Sequence, residues 1–162
     1  MKSRAGLGVL ILLLVVLAGA VGAGAVYLLR DDDPGSGTDP NRTTAGGPAD
    51  PAACRAFEDL RVAGQQLYTA GATPGGWAKI KPALDPALAG LVAAYQAVRP
   101  FTNAATTDEV DSLIAFYTES RVAAASSATL EEYQLRSTAI KGSDKFEAWG
   151  KAVARQQPSS CA

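Results

Sequence analysis

From Ala5 to Leu29 the chain carries no charged residue and is dense in Leu, Val, Ala and Gly. A helix of that length rises roughly 37 Å at about 1.5 Å per residue, and a bilayer's hydrocarbon core is about 30 Å thick. The stretch 5–29 therefore predicts one membrane-spanning helix, with residues 1–4 as a short cytoplasmic start. Lys2 and Arg4 precede the span, and Arg30 with Asp31, Asp32 and Asp33 follows it. The positive-inside rule counts the lysines and arginines and gives aspartates little weight, so the N-terminus is expected inside. Everything beyond the span then faces outside.

The competing reading is a secretory signal peptide. Ala23-Gly24-Ala25 fits the small-x-small cleavage pattern, and cutting after Ala25 would release a secreted protein. The apolar run is longer than the usual h-region of about 7–15 residues, and it continues through Val26, Tyr27, Leu28 and Leu29. Length and the interfacial position of Tyr27 favour an uncleaved signal-anchor. No cysteine in the segment is available to carry a lipid. Small residues recur four apart, Ala18 with Gly22, Gly19 with Ala23 and Ala20 with Gly24. Such spacing allows weak self-association of the span, although an Ala/Gly-rich composition also produces it by chance.

Residues 30–50 change character. Pro, Gly, Thr and Asp dominate, and from Asp31 on no apolar side chain larger than Ala occurs. This composition cannot bury enough surface to offset the entropy of ordering, so a disordered linker is expected. The three aspartates look like the start of a calcium loop, but the later ligands and closing Glu of an EF-hand are missing. Asn41-Arg42-Thr43 is formally a glycosylation sequon.

Residues 51–162 are one domain's worth of chain with a single modest core. Their five lysines and six arginines balance eleven acidic residues, leaving no basic stripe to follow phosphates. Nucleic acid is therefore not an expected partner. The first helix reads clearly: Asp50 as N-cap, Pro51 at N1, and Gly71 as a left-handed terminator. Phe57, Leu60, Gly64 and Leu67 make its stripe, and Thr73-Pro74-Gly75-Gly76 signals a turn. The second helix carries Leu84, Leu88, Leu91, Tyr95 and Val98. Pro82 and Pro86 divide its start, with Asp85-Pro86 able to restart it after a separate turn over Trp77–Lys81, and Arg99-Pro100 should end it.

A third helix should open on the capping box from Thr106 to Glu109 and bury Val110, Leu113, Phe116 or Tyr117, and Ala124. Its end is open on sequence grounds. Either it breaks at Ser126–Thr129, where a second box runs from Thr129 to Glu132, or it continues to Gly142. Ser143 or Asp144 should cap a last helix that places Phe146, Trp149 and Val153 on one face and stops by Pro158. No stretch alternates with period two, so the fold class is all-α, a small antiparallel bundle of about four helices.

The chain has no histidine, which removes His-based triads and His-ligated zinc. Cys54 and Cys161 are too far apart in sequence for a redox pair and too few for structural zinc. In an exported domain they read as one disulfide, and an even number of bundle traverses puts both at one pole. Glu58-Asp59, Asp108-Glu109-Asp111 and Glu131-Glu132 are the acidic clusters, and each sits near a helix start or on a polar face, where helix dipoles and solvent account for it. Trp77, Tyr95, Phe101, Tyr117, Phe146 and Trp149 could line an apolar ligand pocket, but aromatics at helical spacing ordinarily form core. About a fifth of the chain is alanine, which favours helix and buries little area. No cofactor, metal or catalytic residue is expected. The sequence points to an interaction or scaffold module of the cell envelope, with the membrane and an envelope protein as partners. The alternative is a carrier or sensor of a small apolar ligand.

Overall fold

A computed structural model describes residues 50–161 of the chain. The expected span over 5–29 and all but the last residue of the expected linker over 30–50 lie outside the described residues. Among the described residues no helix is long and apolar enough to cross a membrane.

Every regular element described is helical. Helix α1 runs Pro51–Gly71, α2 Trp77–Val98, α3 Ala104–Ser126, α4 Leu130–Thr138 and α5 Phe146–Ala154, with short 3₁₀ turns at Arg99–Phe101 and Ser159–Cys161. The Asp50 side chain caps α1 by accepting from the Ala52 N–H at 2.8 Å, with Pro51 at the first helical position. Phe57, Gly64 and Leu67 are buried as the spacing requires. Gly71 is not the left-handed terminator; it stays inside the helix, which unwinds through Ala72 at φ −83°. The positive dihedrals fall later, at Gly75 and Gly76, where the chain reverses into α2.

Helix α2 is a single element, so Asp85-Pro86 does not restart it. Pro82 and Pro86 each remove one helical N–H, leaving the carbonyls of Ala78 and Pro82 without that donor. Ala78, Pro82 and Pro86 are all exposed, so the interruption lies on the solvent side of the helix. Meanwhile Ile80, Leu84, Ala87 and Leu88 are buried on the opposite side and hold the helix to the core. Packing overrides the local proline preference here.

Helix α3 begins earlier than the Thr106 box suggests. Asn103 is the cap, its Oδ1 accepting from the Thr106 N–H at 2.9 Å, and Thr106 is itself buried in the first turn. Asn outranks Thr as a cap, and the chain leaves its 3₁₀ turn extended at Thr102 and Asn103, which brings that side chain into place. Val110, Leu113, Phe116, Tyr117 and Ala124 are all buried along α3.

After α3 the helix does break. The Thr129 hydroxyl accepts from the Glu132 N–H at 3.2 Å and starts α4, while the Glu132 carboxylate accepts from the Ala128 N–H at 2.8 Å. Neither Ser143 nor Asp144 caps α5. The Ser143 hydroxyl donates instead to the Thr138 carbonyl, and α5 grows from a turn in which Lys145 and Phe146 donate to the Gly142 carbonyl.

Helices α1, α2 and α3 pack in sequence as antiparallel neighbours, and α4 and α5 both lie on α3. The two nine-residue helices together make the fourth leg, returning the chain to the pole where α1 starts. There Cys54 and Cys161 are joined in a disulfide with a Cα separation of 5.2 Å. The bond and the broken third helix agree with the even-traverse expectation, α4 being the short segment that does not cross alone.

The turn between α4 and α5 depends on Gly142, which sits at φ +85°. A Cβ there would clash with Cη2 of Trp149, whose ring closes over the glycine. Left-handed backbone and overpacking each cost about 1–2 kcal/mol, so Gly142→Ala should destabilise the domain by about 2–4 kcal/mol in urea unfolding. An unchanged midpoint would show that the turn readily adopts another shape.

Candidate functional site

Three features of the bundle could carry function: its aromatic pairs, its carboxylates, and the junction between α3 and α4. The aromatics proposed for a pocket are engaged with one another. Tyr95 of α2 stacks on Tyr117 of α3 with centroids 5.7 Å apart, and Phe146 of α5 stacks on Phe116 at 5.1 Å. Trp77, at the start of α2, stacks on Tyr133 of α4 at 5.1 Å. Phe101 and Trp149 are partly buried against the same apolar cluster. These side chains fill the core between helices.

Burial pushes the Tyr95 and Tyr117 hydroxyls, which face one another, well above the ordinary phenol range, and lifts that of Tyr133 to about 12. Below pH 10 all three are protonated in both folded and unfolded chain, so neutral stability is unaffected. Above pH 10 the unfolded chain ionises first, so stability should fall as pH climbs from 10 toward 12. Tyrosinate absorbance should then rise together with loss of helix signal. Ionisation of all three near pH 10 with helix intact would contradict the burial.

The carboxylate clusters do not converge. The Arg61 guanidinium donates to Glu58 at 2.6 and 2.8 Å and, chiefly through that bond, holds its carboxyl below the usual range. Arg99 grips Asp111 through two bonds of 2.7 and 2.9 Å with the same effect. Glu132 is lowered first by the Ala128 N–H and then by Arg136. Asp59, Asp108 and Glu131 are exposed, and Glu109 is half-buried. Exposed pairs of this kind contribute little to stability; they fix side chains on the outer faces. Among the described residues no three Cys, Asp or Glu side chains gather as a metal site.

The junction is what sequence reasoning missed. Ser127, only 1 % exposed, ends α3 with its hydroxyl donating to the Ala123 carbonyl at 2.7 Å. Its own carbonyl accepts from the Trp77 indole at 3.1 Å and from the Lys81 ammonium at 2.9 Å, and Lys81 also donates to the Ala125 carbonyl. The last carbonyls of α3 are thus capped by α2, with a cation at the negative end of the α3 dipole. Trp77 and Ser127 are 50 residues apart, and no local pattern links them.

No protein-family model, curated protein or solved structure matches this chain.

Proposed function

We propose that this chain is a membrane-anchored interaction module, a small helical domain held outside the cytoplasm on residues 5–29 by the linker 30–50. The Cys54–Cys161 bond carries the reading. It uses both cysteines of the chain, and such bonds persist in oxidising compartments, where an exported domain would sit. Interaction is favoured over ligand carriage because the aromatics pair with each other across helices. It is favoured over acid–base chemistry because four of the acidic residues, Glu58, Asp85, Asp111 and Glu132, are tied to arginines on outer faces. A partner would then read the exposed helix surfaces, which include Val122 and Leu135.

Photo-crosslinking in cells, with the reactive residue placed at exposed positions along α3 and α4, tests the role. A discrete heavier species from a subset of positions is expected, and native mass spectrometry of the purified chain should give the mass of the oxidised chain alone. A reproducibly bound small molecule, with no position cross-linking to protein, would overturn the interaction reading in favour of a carrier.

A further inference from the structure

We propose that α4 is a strap: it opens as a unit from the bundle while α1, α2 and α3 stay folded, pivoting on fixed points at either end. The first pivot is Ser127, buried and held by Trp77 and Lys81. The second is Ile140, buried, followed two residues later by the left-handed Gly142 under the Trp149 ring. Between these anchors the packing is thin. Ser137, 8 % exposed, is the one buried residue of α4, Tyr133 is partly buried against the core, and Leu135 is 73 % exposed.

What holds the strap closed is the stack of Tyr133 on Trp77 and the packing of Tyr133 against the core, while Thr129 caps the helix and Glu132 pairs with Arg136. The cap and the pair are internal to α4 and its lead-in, so they shape the helix without attaching it. One polar group favours opening. The Gln134 side-chain nitrogen is buried with no hydrogen-bond partner among the described residues, and water would satisfy it once the strap lifts. A short, sparsely buried helix between rigid joints is the sort of element that opens below the global free energy. Opening uncovers the Trp77 ring face that Tyr133 occupies, an apolar, aromatic surface at the end of the bundle opposite the disulfide.

Native-state hydrogen exchange on the full chain, followed by peptide mass analysis in rising sub-denaturing urea, tests this. Amides from Tyr133 to Thr138 should exchange together, at least about 100-fold faster than those of Leu84–Val98 and Val110–Ala124, and with little urea dependence. In Tyr133→Ala the α4 amides should lose protection while α2 and α3 keep theirs. Equal rates and equal urea slopes for α4, α2 and α3 would overturn the strap. So would a Tyr133→Ala chain that either keeps α4 protected or unfolds in all helices at once.

Discussion

Replacing Cys54 and Cys161 together by serine should lower the unfolding free energy of the helical domain by about 2–5 kcal/mol. The bond closes a loop of 107 residues, for which the chain-entropy description gives about 4.7 kcal/mol, a figure that strain and residual structure reduce in practice. A domain this small has a total margin of about 5–15 kcal/mol, and each kcal/mol is worth roughly 4–8 °C in Tm. The loss should therefore appear as a fall in Tm of about 8–40 °C. The architecture makes the bond matter more. Helix α1 packs closely on α2, α5 packs closely on α3, and the disulfide ties the first turn of α1 to the chain beyond α5. The core it protects is lean: Ala53, Ala56, Ala63, Ala70, Ala87 and Ala94 are among its buried residues, and alanine contributes little buried area. Calorimetry of the oxidised and serine-substituted chains measures the shift. Equal Tm values would mean that the helices hold the pole without the bond.

Trp77→Ala should cost about 3 kcal/mol, read as a lowered urea midpoint. The indole is partly buried against the core, stacks on Tyr133 and donates to the Ser127 carbonyl, so its removal leaves a gap, an unmatched ring and a buried acceptor with one donor fewer. Lys81→Met separates the contributions. It keeps most of the aliphatic stem but withdraws the ammonium from the Ala125 and Ser127 carbonyls, and it should cost about 1–2 kcal/mol. Because both side chains donate to the same buried carbonyl, each single variant leaves it one donor and only the double leaves it neither, so the double variant should cost more than the sum of the singles. Strict additivity would show that the two donors act on independent parts of the junction.

The stripes of the helices were legible because burial demands them. Leu84, Leu88, Leu91, Tyr95 and Val98 repeat at three and four residues, and all five are buried in one helix. The disulfide was legible by parity, since two cysteines near opposite ends of an even-legged bundle meet at one pole. Cap identity was less so. Thr106 and Asn103 both offer a cap oxygen, and the extended backbone after Phe101 decides for Asn103. Gly71 and the two prolines carry strong local preferences that burial overrules, one by keeping the helix whole through its last turn, the others by facing solvent. The α3–α4 junction had no local signature. Trp77 reads as a core aromatic and Lys81 as a surface cation, and their shared acceptor is a backbone carbonyl, a group every residue supplies.

The proposed function rests mainly on an expected compartment. The proposal of an exported module takes its motive from an uncharged run of 25 residues, counted from Ala5 to Leu29, and from two distant cysteines, one through the bilayer as solvent and the other through redox chemistry. The measurement that bears most directly on this account is protease accessibility in intact spheroplasts. Protease added from outside should remove the disulfide-closed domain by cutting beyond Arg30, leaving an N-terminal fragment in the membrane fraction. A domain that stays protected until the membrane is opened, or a mature chain whose first residue is Val26, would contradict the anchored, outward-facing module.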